Sequence, residues 1–485
     1  MKADRLVSFF VLLGIAIAPC VQAAADEKSV ARYKKQEREV EGVPQTSLTK
    51  PVAPPKETKR SGPTITVEDF VGKKQGVIDV INDKQIAQMQ RLIRITDDDD
   101  PQKADFYFRL AELFAEKQRY FFGREHSLDQ KIFDAPAGQK ATLQREQAGY
   151  AKDQEKWLLQ AVTTYIEASK YKKYPRMDEV LFKLAYLLQT VKKEDQAREF
   201  FHRLIKDYPN SKYVPEAYLS FGEYFFAKGE MDNALKFYER VEQFPKSPVY
   251  GYAVYKQGWC YINLGDFKKA LEIFVDVIRL AKENRGGDKR QNVALEREAK
   301  KDVVKAYART PGANPDKAWE FFQRVGGDFA PKMMEALGEL YWEQGMFGDS
   351  TKVYRKMIAL TPTSPRICEW QNKVVRNTLS QGTKRDQVQE VGRLGLAYEH
   401  VMKMPSVKRD VTEECRNAFH DISKELALVW HKEAQKTKNP DTYQLTKYVY
   451  KVYLDHFGKE KGDIDMAFYY GEVLWVTESW KEAAE

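Results

Sequence analysis

A repeat with a period of 36 or 37 residues runs through the middle of this chain. Four alanines mark it, Ala161, Ala197, Ala234 and Ala270, and each lies in a similar local pattern of apolar and aromatic residues. A period of this length is typical of stacked helix pairs, in which each pair buries its apolar face against its neighbours. The period therefore predicts an all-α solenoid, and a molecule that binds other molecules rather than one that catalyses a reaction.

The best-formed unit spans residues 331–362. Small residues at Gly338 and Ser350 allow its two helices to approach closely, and Pro362 ends the second helix because proline cannot continue one. This pattern resembles the tetratricopeptide repeat (TPR) consensus. Other units with several TPR markers each contain Ala185 with Phe201, Gly222 with Tyr238, and Gly258 with Phe274.

The repeat markers also predict the domain boundaries. We expect a TPR array over residues 103–362, whose first unit carries a long insertion over 123–148, and divergent TPR-like repeats over 363–485. Near the C-terminus, Phe468 and Trp480 fit a further unit whose second helix would only be starting where the sequence stops. An unpaired first helix would leave its apolar face uncovered, so we expect the sequence to be truncated there.

The resemblance to TPR proteins implies that the first helix of each unit lines a concave groove. Aromatic side chains on such a surface are good anchors for an extended or helical peptide. The competing interpretation is that neighbouring helices, or the segment at 66–95 folding back, cover them. The residues predicted to bind a partner are Phe182, Tyr186, Gln189, Glu223, Phe226, Tyr252, Tyr255, Trp259 and Asn263.

Residues 1–23 have the composition of a secretory signal peptide. A basic start precedes an uncharged apolar stretch at 6–18, and Ala23 ends a small-x-small cleavage site. The alternative is a lipoprotein signal, in which Cys20 would be lipid-modified, although Pro19 directly before it departs from that motif. Either signal predicts export to the periplasm or to the periplasmic face of the outer membrane, in the second case through a lipid anchor.

Two segments separate this signal from the repeats. Residues 24–65 hold five prolines among alternating charges and predict a flexible linker, because nothing in them could bury an apolar face. Residues 66–102 predict an N-terminal helical segment. Its acidic run at 97–100 lacks the alternating ligands and the glycine of a calcium loop, so we interpret it as a cap for a helix that starts near Pro101.

The sequence contains no persuasive catalytic or metal-binding motif. H-E-x-x-H, G-x-S-x-G and a phosphate-binding loop are all missing, and the net charge of +8 is spread along 485 residues. We therefore expect no enzyme activity, cofactor, metal, small-molecule ligand or nucleic acid partner. Cys368 and Cys415 could pair in an oxidising compartment, but their spacing does not place their Cα atoms, so the sequence leaves this open.

These observations predict a non-enzymatic scaffold that binds envelope proteins or peptides within a bacterial cell-envelope complex. The segments at 107–114 and 337–341 are similar to TPR proteins attached to gliding-motility machinery. Two alternatives stay open. The chain could be an assembly factor for outer-membrane or secretion proteins, or the recognition arm of a larger envelope enzyme that acts on peptidoglycan.

Overall fold

The computed structural model describes residues 83–285, 289–405, 407–459 and 464–484. Within these ranges the chain is α-helical, with short turns and two single 3₁₀ turns, and it forms no β-strand. The ranges fall into two compact units, residues 83–360 and 361–484.

Several predictions concern residues outside the described ranges. These are the signal peptide, the lipidation alternative at Cys20, the linker over 24–65 and the first part of the N-terminal helical segment.

The first unit is an all-α solenoid of helix pairs, as the period predicts. Successive helices pack side by side, and the apolar faces that the repeat places on them form its core. Its helices are α1 (Asp83–Ile95), α2 (Pro101–His126), α3 (Asp129–Asp134), α4 (Ala137–Ala168), α5 (Met177–Thr190), α6 (Glu194–Asp207), α7 (Val214–Lys228), α8 (Met231–Val241), α9 (Tyr250–Leu264), α10 (Phe267–Lys282), α11 (Lys289–Arg309), α12 (Ala318–Gly326), α13 (Ala330–Glu343) and α14 (Phe347–Leu360).

The close approach of the two helices in a pair depends on glycine. A Cβ atom added to Gly258 on α9 would lie 2.5 Å from the Phe274 ring on α10, and one added to Gly222 would lie 2.4 Å from the Tyr238 ring. Carbon atoms do not approach so closely without displacement, so each ring occupies the space that the missing side chain leaves.

The insertion in the first unit is helical. It lengthens α2 at its end and α4 at its start, and α3 connects the two. Leu128 is the one buried side chain between residues 119 and 157, so this part of the helix pair adds little to the core.

At the other end of α2, the Asp100 side chain accepts the backbone N–H of Gln102, which confirms the acidic run as a helix cap.

The second unit is also built of antiparallel helices, with its own core of buried aromatic and aliphatic side chains. Cys368 and Cys415 form a disulfide between two of these helices, with their Cα atoms 5.7 Å apart, which answers the question that the sequence leaves open. The helices are α15 (Ile367–Gln381), α16 (Lys384–Met402), α17 (Arg409–Thr437), α18 (Pro440–Phe457), α19 (Ile464–Val476) and α20 (Trp480–Ala484).

Candidate protein-interaction surface

Helix α5 presents the most exposed aromatic residue among the predicted partner-binding residues. The side chain of Tyr186 is 51% exposed. One turn earlier, the half-buried Phe182 stacks on Tyr213, which directly precedes α7, with ring centroids 4.6 Å apart and an interplanar angle of 12°. Gln189 donates from Nε2 to the Ser220 hydroxyl of α7 over 2.6 Å. These contacts fix the surface around Tyr186 by joining α5 to α7.

The predicted residues of α7 are held by contacts to α8 and α9. Glu223 accepts the Tyr238 hydroxyl over 2.7 Å and the Lys256 ammonium group over 3.1 Å. Lys256 Nζ also lies 3.6 Å from the ring centroid of Phe226, a cation–π contact that fixes this half-buried ring. On α7, burial also raises the pKa of Glu216 to about 7, so this carboxyl group titrates near neutral pH.

The prediction for α9 is wrong in one respect. Tyr252, Tyr255 and Trp259 were expected as exposed anchors, but their side chains are 1%, 0% and 2% exposed. The Tyr255 hydroxyl and the Trp259 indole N–H both donate to Asp302 Oδ2 on α11, over 2.6 and 3.0 Å. Tyr255 and Trp259 therefore join α9 to the next first helix, and none of the three side chains offers a surface to a partner, as the competing interpretation states.

Asp302 is the centre of this buried contact. Lys305 donates to its second carboxylate oxygen over 2.8 Å, so both oxygens of the carboxylate are satisfied. Burial raises the pKa of Asp302 even though three neighbouring groups donate hydrogen bonds to its ionised form. Asn263, the last predicted residue of α9, donates to the Trp259 carbonyl within its own helix.

Polar side chains thus connect the first helices from α2 to α11 along the first unit. Lys183 on α5 binds Glu112 on α2 over 2.7 Å, and the Gln189–Ser220, Glu223–Lys256 and Tyr255–Asp302 pairs continue the series. Several of these partners stand at groove positions of the repeat. The groove residues of this protein therefore have a structural role as well as the predicted binding role.

A hydrogen-bonded tyrosine–glutamate pair, which was not predicted from the sequence, recurs along the first unit. In three units, a tyrosine on the second helix donates its hydroxyl to a glutamate on the first helix, directly after the small residue of the close approach. The pairs are Tyr165 with Glu112, Tyr238 with Glu223 and Tyr354 with Glu339. The units with Phe201 and Phe274 have Tyr186 and Trp259 in place of the glutamate. Comparison of the units position by position contains this signal.

Three observations on the described part of the chain concern metal binding, the reactivity of a free cysteine and membrane-spanning helices. No group of three His, Cys, Asp or Glu side chains there is arranged to hold a metal ion. Burial raises the pKa of the Cys260 thiol to about 12, which keeps it protonated and unreactive. None of the described helices combines the length and the apolar composition needed to span a bilayer.

The tetratricopeptide repeat family model matches residues 179–211 and 252–282 of the chain. These ranges cover α5 with α6 and α9 with α10, which are two of the units that the sequence pattern identifies. The chain therefore contains tetratricopeptide repeats, and such repeats indicate a protein-interaction scaffold rather than a catalyst. No curated protein matches the sequence.

Two solved structures of repeat proteins match the chain at low identity. One is a Signal Transduction ATPase with Numerous Domains protein with a tetratricopeptide repeat sensor, from Pyrococcus horikoshii, which is 11% identical over 82% of this chain and 68% of that chain, with a TM-score of 0.22. The other is a circular tandem repeat protein, which is 13% identical over 83% of this chain and 96% of that chain, with a TM-score of 0.18. At these TM-scores, neither likeness carries an argument about function.

Proposed function

We propose that this chain is an exported scaffold of a bacterial cell envelope, and that it binds a partner protein or peptide across helices α5 and α7. The observation that carries the proposal is the aromatic cluster at Tyr186. This side chain is 51% exposed, while the Phe182–Tyr213 stack and the contacts of Gln189 hold its surroundings in place. Aromatic anchors on rigid elements contribute most to binding, because little conformational freedom is lost when they are covered.

Five of the nine predicted binding residues lie on this surface. Phe182, Tyr186, Gln189, Glu223 and Phe226 lie on α5 and α7 and are exposed or half-buried. Phe226 is held in place by Lys256, and Glu223 is a carboxylate that already accepts two hydrogen bonds. This combination suits a peptide that inserts an apolar side chain beside Tyr186 and aligns its polar groups with Gln189.

Two observations support export. Residues 1–23 have the composition of a signal peptide, and the second unit carries the Cys368–Cys415 disulfide. Disulfides persist in oxidising compartments such as the periplasm and are rare in a reducing cytosol. The choice between cleavage after Ala23 and lipidation of Cys20, and with it attachment to the outer membrane, belongs to this proposal.

The process that the scaffold serves is proposed from the sequence resemblance. We favour a multiprotein envelope machine, with gliding motility as the specific candidate. A role as an assembly factor for outer-membrane or secretion proteins requires the same binding surface. A role as the recognition arm of a peptidoglycan-acting enzyme would additionally require a catalytic domain in the same polypeptide.

The experiment compares Tyr186→Ala with Tyr120→Ala, a matched change at a 39% exposed tyrosine on α2. Tagged proteins are used to capture partners from envelope extracts, partners are quantified by mass spectrometry, and the affinity for the main partner is then measured. We expect Tyr186→Ala to weaken binding about tenfold or more, as the loss of an aromatic anchor does. Equal binding by Tyr186→Ala and the wild type, at unchanged helicity, contradicts the proposal.

A further inference from the structure

Helix α11 is longer than the repeat requires. It has 21 residues, whereas the first helices α5, α7, α9 and α13 have 14 or 15. The part of α11 that contacts α9 through Asp302 lies in its second half. The extra length, about two helical turns, therefore belongs to its start, where the repeat pattern does not demand a helix.

The charges on this helix are segregated by sign. The exposed residues between 289 and 301 are Lys289, Arg290, Val293, Arg297 and Lys301, so every exposed charge is positive. The acidic residues of the same helix are turned away from solvent. Glu298 is 6% exposed and Asp302 is 2% exposed, and Glu296 is half-buried and pairs with Lys300 over 2.7 Å.

The end of α10 and the turn that follows it are also rich in basic residues. Lys282 and Arg285 are exposed there, and Glu283 is the single exposed carboxylate in the described residues between 282 and 301. Arg279 and Arg285 each lie 3.6 Å from Glu283, so its charge is already shared between two guanidinium groups. Among the described residues of this stretch, the exposed cations outnumber the exposed carboxylates, and the buried Glu298 pairs with Arg297 over 3.4 Å and with Lys301 over 2.9 Å.

We infer that the basic ridge of α11, formed by Lys289, Arg290, Arg297 and Lys301, is a docking surface for an acidic segment of a partner protein. An ordinary solvated helix face mixes both signs and forms exposed pairs three or four residues apart. Here the buried Glu298 is the acidic partner of Arg297 and Lys301, so every exposed charge between residues 289 and 301 is positive, at a place where the helix is longer than in the neighbouring units.

The dimensions fit a short peptide. The distance along the helix from Lys289 to Lys301 is roughly 18 Å, which an extended segment of about five or six residues would cover. Val293, 61% exposed in the middle of the cations, offers an apolar contact. Charge complementarity of this kind accelerates association and selects against basic partners. This inference depends on the proposed scaffold function in one point, namely that the molecule bound to the ridge is a protein.

The test uses the full chain with Lys289, Arg290 and Arg297 changed to Gln, which removes the Arg297–Glu298 pair and leaves Lys301 paired with Glu298. The matched control changes three exposed lysines elsewhere in the first unit, Lys206, Lys246 and Lys268, to Gln. Binding of a fluorescein-labelled peptide of repeated Asp-Glu-Ser is measured by fluorescence anisotropy at low and at physiological salt. We expect the ridge variant to bind about tenfold more weakly and the control less than about twofold, with affinity falling as salt rises.

Several outcomes would overturn the inference. Equal weakening in both variants would mean that only the net charge matters, and no measurable binding by the wild type would mean that the ridge does not recognise acidic segments. Binding to phosphatidylglycerol vesicles without binding to the peptide would assign the ridge to a membrane surface instead. Tyr186→Ala serves as a further control, because failure of the α5–α7 surface would leave binding of the acidic peptide unchanged.

Discussion

Single residues in this protein decide how closely two helices approach. Gly258 and Gly222 leave room for the aromatic rings of Phe274 and Tyr238, and the glutamate–tyrosine pairs then satisfy the hydroxyl of each tyrosine that enters this space. The identity of the residue after the glycine therefore depends on the ring of the second helix. Where that ring has no hydroxyl, as in Phe274, the first helix has Trp259 in place of the glutamate, and Trp259 packs against the ring.

Substitution of Gly258 tests this coupling. We expect Gly258→Ala to lower the free energy of unfolding by about 1–3 kcal/mol, because its Cβ would overlap the Phe274 ring. Gly123→Ala is the control, since no atom lies within 4 Å of the added Cβ, and alanine there should stabilise α2 by roughly 0.5–1 kcal/mol. Urea unfolding of both variants measures the difference. Equal stability of Gly258→Ala and the wild type would refute the overlap.

The exposure of individual side chains was the least predictable property. The period correctly places Phe182, Tyr186 and Trp259 on first helices, but it does not tell which of them a later helix covers. Trp259 is buried because Asp302, more than forty residues further along the chain, accepts its indole N–H. Tyr186 remains half-exposed although it occupies the equivalent position of its unit.

Whole helices of this protein depart from the regular repeat in two ways. The pair α2 and α4 is lengthened by an insertion that buries little, and α11 is lengthened at its start by about two turns, which carry Lys289 and Arg290 of the basic ridge. In the second unit the repeat markers are degraded, and the disulfide between α15 and α17 supplies a covalent connection in a region where the apolar pattern is less regular.

Removal of this disulfide should weaken the second unit. The two cysteines are 47 residues apart, and closing a loop of that length reduces the entropy of the unfolded chain. We expect Cys368→Ala with Cys415→Ala to lower the free energy of unfolding by about 2–4 kcal/mol. Reductant should lower the stability of the wild type by a similar amount and leave the double variant unchanged. Cys260→Ala is the control, because it should retain the response to reductant. A wild type that does not respond would contradict the bond.

The protein as a whole combines an interaction array with an N-terminal sequence from which we propose export. Its tetratricopeptide repeats indicate a scaffold, and its N-terminal sequence and its disulfide agree in favouring an oxidising compartment. The basic ridge and the aromatic surface of α5 and α7 would allow two partners of different chemistry to be bound by one chain, which is what a scaffold requires.

Export is tested on the whole molecule by the sequence of its mature N-terminus. We expect envelope fractions to contain protein that starts at Ala24, or at an acylated Cys20, because residues 1–23 have the pattern that signal peptidases recognise. Mass spectrometry of the N-terminal peptide distinguishes the two. Leu12→Arg, which interrupts the apolar stretch, is the control that should block processing. An intact Met1 on the wild-type protein in its native host would rule out export.

The sequence by itself determined the all-α repeat fold, the helix pairs with their small residues, and the helix cap at Asp100. These features depend on local propensity and on a periodic apolar face, both of which are encoded by residues close together in the sequence. Only the tertiary structure decided that Tyr255 and Trp259 are covered, that Cys368 meets Cys415, and that the acids of α11 turn inward. Each of these depends on contacts between residues far apart in the chain, whose distance the sequence period does not specify.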